Sequence, residues 1–147
     1  MLVIDRFKKL GELWSDVEYT ETGWTFHGRD PSDTRRGVYA FIGIDGIEKV
    51  GKAENADGIR ARTGQYTLSK KRLNENRADK SDALWDEIMN DDLKDRTLEF
   101  YFLPVESNIE TIHGVEIEID GIRPLEKELS TQARVEGNPM RLSGKGN

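Results

Sequence analysis

The run Gly37-Val38-Tyr39-Ala40-Phe41-Ile42-Gly43-Ile44-Asp45-Gly46-Ile47-Glu48-Lys49-Val50-Gly51-Lys52 decides the fold. Two β-rich stretches, 38–44 and 47–50, flank Asp45-Gly46, a pair that favours a two-residue hairpin turn because both central positions need φ > 0. Downstream, Asn55 or Asp57 can cap a helix that carries Ile59, Arg62 and Tyr66. A basic, polar stretch follows, and Ser81 opens a second helix with apolar positions Leu84, Trp85, Ile88 and Met89. Residues 97–105 read as a third strand with Leu98, Phe100 and Phe102 on one face. The acidic segment 106–120 is a loop or an extra hairpin around Gly114. Pro124 then opens a helix through Leu125, Leu129 and Ala133, which Gly137-Asn138-Pro139 stops.

Upstream, Val3, Ile4, Phe7, Leu10 and Leu13 form a helical stripe weakened by Gly11. Residues 17–26 alternate around Thr22-Gly23 like a short hairpin, and 29–36, with Pro31, is a connector. The expected architecture is α/β in the α+β sense: a small three-stranded, largely antiparallel sheet flanked by helices. Residues 1–36 form an N-terminal accessory segment and 37–147 the functional domain, within one compact unit.

Composition narrows the function. At 147 residues one domain is expected. The absence of cysteine excludes a disulfide scaffold, a thiolate zinc site and a cysteine nucleophile. His27 and His113 stand alone, which argues against a histidine metal cluster. No run approaches the roughly 20 apolar residues of a membrane span, and residues 1–11 show no secretory pattern, so a cytoplasmic protein is expected. The net charge of −6 hides an uneven distribution. Between Arg60 and Lys80 lie seven basic residues (Arg60, Arg62, Lys70, Lys71, Arg72, Arg77, Lys80) against two acidic ones, a net of +5. Between Glu106 and Glu128 seven acids face two bases, a net of −5. Phosphate binding depends on such a local basic stripe and not on total charge.

Phosphate-cradling loops ending in Gly-Lys-Ser/Thr and Gly-x-Ser-x-Gly elbows are missing. What stands out is the order Tyr39 on the first strand, Lys52 after the hairpin, Arg62 and Tyr66 one helical turn apart, and Glu126 on a late helix. In this order the chain resembles the GIY-YIG nuclease superfamily, closest to its restriction-type and phage endonuclease II-like branches. Gly37-Val38-Tyr39 looks like the first motif, and Lys49-Val50-Gly51-Lys52 occupies the place of the second, with Lys49 where the family has Tyr. Arg62 with Tyr66 matches the family's Arg helix, with Arg60 as competitor, and Glu126 with Asn138 twelve residues on matches its metal-binding Glu helix and trailing Asn. Glu128 lies two residues off that spacing.

The resemblance implies a divalent-metal-dependent DNA endonuclease that hydrolyses phosphodiester bonds, a restriction-type or phage/mobile-element enzyme. Glu126 would hold Mg²⁺ or Mn²⁺, a hard cation suited to one carboxylate plus water and phosphate oxygens. Arg62 would clamp the scissile phosphate. Tyr39 would orient or deprotonate water, with its pKa lowered by cationic neighbours such as Lys52, and Tyr66 would assist. Lys49, Arg60, Lys70, Lys71, Arg72, Arg77, Lys80 and Asn138 are the candidate contacts to double-stranded DNA, and a homodimer would let two sites cut two strands. The replacement of Tyr by Lys49 motivates an alternative: a catalytically weak nucleic-acid-binding or protein-interaction module on the same fold.

Overall fold

The computed structural model describes residues 1–143. Its elements are α1 (Val3–Leu10), β1 (Glu12–Thr20), β2 (Gly23–Phe26), β3 (Gly37–Gly43), β4 (Gly46–Ala53), α2 (Gly58–Thr67), α3 (Ser69–Asn74), α4 (Lys80–Asp91), β5 (Leu98–Pro104), β6 (Asn108–Ile112), β7 (Val115–Ile119), α5 (Ile122–Val135) and a 3-10 turn at Arg141–Ser143.

The main sheet has five strands in the order β2-β1-β5-β3-β4, all pairs antiparallel, where the sequence pattern had predicted three. The added pair comes from the segment set apart as 1–36: β1 lies along β5, with Ser15 opposite Phe100 and Val17 opposite Leu98. Leu13, assigned above to a helix, is therefore on a strand, and α1 ends at Leu10 before Gly11. Gly11 is required there, because a Cβ would sit 2.7 Å from the Phe7 carbonyl oxygen and 2.8 Å from that of Phe102.

Helices cover both faces of the sheet. Period-two alternation along β3 sends Tyr39 and Phe41 to one side and Val38, Ala40 and Ile42 to the other, so the strand is buried throughout. Tyr39 and Phe41 join Trp14, Trp24, Phe26, Phe100, Tyr66 and Trp85 in an aromatic core under α2 and α4. Val38, Ala40, Ile42, Ile47 and Val50 pack against Val3 and Phe7 of α1 and Ile122, Leu129 and Ala133 of α5.

Local chemistry sets the element ends. The β3–β4 turn falls on Ile44-Asp45, one residue earlier than the Asp45-Gly46 reading, and Gly46 carries φ +123° at the start of β4. α4 begins at Lys80 and is capped by Asp79, whose carboxylate accepts from Asp82 N while Asp82 accepts from Asp79 N, a capping box in place of the Ser81 start. The basic stretch before it contains α3, fastened to α4 by Arg72 on buried Asp82 (2.6 and 2.8 Å) and by Lys70 on Asp86 (2.6 Å). α5 closes in a Schellman motif: Gly137 at φ +85° donates to Arg134 O and Asn138 N donates to Ala133 O. The segment 106–120 is the exposed β6–β7 hairpin, turned at His113-Gly114.

The connector between β2 and β3 is pinned to the core. Half-buried Asp33 accepts from Trp14 Nε1 (2.8 Å) and Arg35 Nη2 (2.8 Å), and chiefly the Arg35 hydrogen bonds hold its carboxyl down at about 2. A depressed carboxylate stabilises the fold above its unfolded pKa of 3.8 and loses that contribution as pH falls toward about 2. Asp33→Asn is therefore expected to lower stability by about 1 kcal/mol near neutral pH, with the gap to wild type closing in urea melts as pH falls from 4 to 2. A gap independent of pH would contradict this assignment.

Candidate active site

β4 is an edge strand, and a cleft of about 320 Å³ runs beside it, lined from α2 on one flank and α5 on the other. Register explains how both flanks share one cleft. Lys49 and Gly51 lie opposite Phe41 and Tyr39 on the aromatic face, and Lys52 lies opposite Val38 on the other. Arg62 and Gln65 enter from α2 and Glu126 from α5, so Lys49, Lys52, Arg62 and Glu126 converge.

Tyr39 and Tyr66 form the buried support behind this lining. Tyr39 is 0% exposed, stacks on Phe100 at 4.9 Å and shares a 2.9 Å hydrogen bond with the Tyr66 hydroxyl. Arg62 Nε donates to Tyr39 Oη (2.9 Å), Arg62 Nη1 donates to Gln65 Oε1 (3.0 Å), and the guanidinium lies 5.2 Å over the Tyr66 ring. One residue of α2 is thus aimed by two tyrosines and a glutamine. Burial raises the Tyr39 pKa, as does Tyr66, and Lys49 and Arg62 only partly offset this. The sequence reading called for a lowered Tyr39 pKa; burial shifts it the other way.

The depressed group is Lys49. Its amine is half-buried 4.9 Å over the Trp85 ring and 5.9 Å over that of Tyr66, and burial, with help from Arg62 and Lys52, lowers its pKa against the pull of Tyr39 and Glu126. Gly51 makes room for this arrangement: a Cβ there would fall 2.4 Å from the Tyr39 hydroxyl.

The two candidate arginines of α2 take different positions. Arg62 lines the cleft, while Arg60 is exposed and lies 3.6 Å from Asp57. No side chain caps α2; its first amides donate instead to the connector, Ile59 N to Arg35 O and Arg60 N to Asp33 O, both at 2.9 Å. Gly58 at φ +55° permits that approach, since a Cβ would meet Thr34 O at 2.2 Å.

The basic stripe divides. Lys70 and Arg72 are held in the ion pairs with α4, and Arg77 pairs with Glu75, while Lys71 and Lys80 are exposed. Asn138 does not line the cleft. Its amide oxygen accepts from Ile47 N and its nitrogen donates to Ala133 O, both at 2.9 Å, tying α5 to the β3–β4 hairpin beside Gly46. The sequence reading missed Gln65, which stands one turn from Arg62, and Glu54, which lines the cleft and binds Arg123 at 3.0 Å. It also missed the Trp85 platform under Lys49, which no local pattern signals.

Among the described residues no three His, Asp or Glu side chains gather into a metal cage. The donor set instead offers Glu126 beside cations, a combination that fits a hard divalent ion completed by phosphate oxygens and water. Nor is any described helix long and apolar enough to cross a membrane.

No family model matches the chain, and neither does any curated protein. Solved structures do. Restriction endonuclease HPY188I in complex with product DNA aligns with a TM-score of 0.52 at 13% identity, covering 97% of this chain and 84% of that one. A mutant of bacteriophage T4 EndoII aligns with a TM-score of 0.59 at 15% identity, covering 92% and 93%. At such identities the likeness is one of fold, and it extends over nearly the whole chain.

Proposed function

We propose that this chain is a divalent-metal-dependent DNA endonuclease of the GIY-YIG kind, related to restriction-type and phage enzymes. The observation that carries the reading is the convergence of Lys49, Lys52, Arg62 and Glu126 in one cleft, with Arg62 oriented by the buried Tyr39–Tyr66 pair. The shared fold with two nucleases supports it.

Hydrolysis joins a water oxygen to phosphorus, breaks the bond to the leaving oxygen and needs a group to take the water's proton. Lys52 and Arg62, two cations lining one cleft, favour a phosphodiester. Arg62 has five N–H donors, so after serving Tyr39 and Gln65 it still has donors for a phosphate oxygen. Glu126 would hold Mg²⁺ or Mn²⁺, which when bound would neutralise charge on the phosphate and the leaving oxygen. Lys49 takes the water's proton: it lines the cleft, and burial lowers its pKa and so favours the neutral amine over that of an exposed lysine. Tyr39, buried and raised, positions Arg62. Lys52 and the exposed Arg60, Lys71 and Lys80 serve the duplex backbone. Two copies would present two clefts to the two strands.

Plasmid cleavage with Mg²⁺ or Mn²⁺ tests this. The wild-type rate is expected to climb with pH and level off once Lys49 is neutral. Lys49→Met should lower the plateau by about 10²–10⁴-fold, the usual worth of a positioned base. Unchanged cleavage and an unchanged profile in Lys49→Met would remove Lys49 from this role. The burial of the Tyr39 hydroxyl favours the binding-module alternative. Measurable DNA binding with intact plasmid after long incubation with either metal would support that alternative.

A further inference from the structure

Three consecutive residues after α5 hold two parts of the site at once. Met140 N donates to Ile47 O at 3.0 Å. Arg141 grips the Glu48 carboxylate through Nε (3.0 Å) and Nη2 (2.5 Å). The Leu142 carbonyl accepts from Trp85 Nε1 at 3.1 Å. The first two contacts fasten β4 immediately before Lys49, and the third fastens the indole over which the Lys49 amine lies at 4.9 Å. A strand and a helix, β4 and α4, are joined through one short turn.

That turn is held in an uncommon conformation. Met140 has φ +50°, a left-handed backbone that a residue with a Cβ seldom adopts and that persists only where its surroundings over-determine it. Here they do. Met140 is buried in the core against α1 and α5, Leu142 is buried in the aromatic core, and Glu48 is 0% exposed. Arg141 also donates to Asp45 (3.0 Å), which Arg96 holds from the start of β5 at 2.5 Å.

Burial by itself does not demand the tie on Trp85, since Trp24, in the same core, buries its indole N–H without a partner. What the hydrogen bond adds is direction. An indole whose N–H is fixed keeps its plane, and Tyr66 stacks on it at 4.6 Å. Lys49 then lies over two rings, 4.9 Å from Trp85 and 5.9 Å from Tyr66, which attract an ammonium and limit the reach of a long flexible stem. Tyr39 on β3, Arg62 on α2, Lys52 on β4 and Glu126 on α5 are the charged and titratable groups around the amine. No hydrogen bond or ion pair from the described residues reaches it, so the rings are what locate it.

We infer that Trp85 is a positioning residue for Lys49, and that the turn at Met140, Arg141 and Leu142 aims it. The inference rests on Lys49 as the group that takes the water's proton, and it adds what places that amine at the cleft.

Nuclear magnetic resonance of the full chain labelled with ¹³C-lysine, without DNA or metal, tests it. Ring currents shield protons above an aromatic face, so the Lys49 ε-methylene, assigned by its loss in Lys49→Met, is expected upfield of the exposed lysines. Trp85→Phe removes the N–H and keeps a ring in the core. Glu48→Met with Arg141→Met exchanges the buried pair for apolar side chains of similar length and leaves no charge unpaired. In both, the Lys49 signal should move toward the other lysines, and kcat for plasmid cleavage should fall by about 10–100-fold with KM unchanged, while the thermal melt stays cooperative. If the methionine pair fails to fold, Trp85→Phe decides on the same two readouts. A wild-type Lys49 signal among the exposed lysines, or folded variants that keep both signal and kcat, would overturn the inference. Full cleavage in Lys49→Met would remove instead the reading beneath it, with the Lys49 signal still reporting whether the turn places the amine.

Discussion

Glu126→Ala is expected to reduce metal-dependent cleavage by about 10³-fold or more while leaving the melting temperature within a degree or two of wild type. The asymmetry follows from position. Glu126 is half-buried near the start of α5, where alanine is the better helix former, so the fold loses little. The cleft, by contrast, loses its α5 carboxylate, and Lys49, Lys52 and Arg62 are left without the group that would place a cation against the phosphate. Calorimetric titration with Mn²⁺ reads the same loss without any substrate. Arg62→Lys should fall nearly as far as Arg62→Ala, because an ammonium cannot reproduce a fork held at once by Tyr39, Gln65 and phosphate. Full activity in Glu126→Ala would sink the nuclease reading at this cleft.

The largest structural effect is expected from Gly51→Ala. The new methyl would lie 2.4 Å from both Cζ and the hydroxyl of Tyr39. Tyr39 cannot step aside: Phe100 stacks on its ring, Tyr66 and Arg62 hold its hydroxyl, and Phe41 meets its ring edge-on at 6.0 Å. Overpacking of this kind costs about 2–4 kcal/mol, or roughly 5–15 °C in a domain of this size. Cleavage should fall as well, because Arg62 loses the group that aims it. Gly121→Ala is the matched control: its added carbon meets nothing within 4 Å and its φ is −88°, so stability should stay within about 0.5 kcal/mol. Wild-type melting in Gly51→Ala would refute the account of the strand pair.

How much of this was legible in the chain depends on the range of the interaction. The β3–β4 hairpin, the helices carrying Arg62, Trp85 and Glu126, and the stop at Gly137-Asn138 follow from local patterns, and each stands within a residue or a few of its expected place. The five-stranded sheet was not legible, because Val17 opposite Leu98 is a pairing across eighty residues and no local signal announces it. α3 escaped for a related reason: its six residues lack an apolar stripe and are fastened by Arg72 and Lys70 to carboxylates on α4. The same pairs show why a run of positive charge overstates a binding surface. In the site, the order of Tyr39, Arg62, Tyr66 and Glu126 named residues that the fold gathers at one cleft, Arg62 and Glu126 in its lining and the two tyrosines behind Arg62. Burial then set the protonation within it, holding the proton on Tyr39 and loosening the one on Lys49.

Strand order also bears on how the molecule comes into being. β5, close to residue 100, lies between β1 and β3, so it separates the two early hairpins β1–β2 and β3–β4. Each hairpin can form locally within microseconds, yet neither can join the other until Leu98–Pro104 arrives to bridge them. Pairings of such sequence separation fold slowly. On the ribosome, the aromatic core and the Tyr39–Arg62 support would stay open until about two-thirds of the chain had been made, and Glu126 would follow last. A nascent chain of this protein thus has no assembled cleft until α5 has joined the sheet.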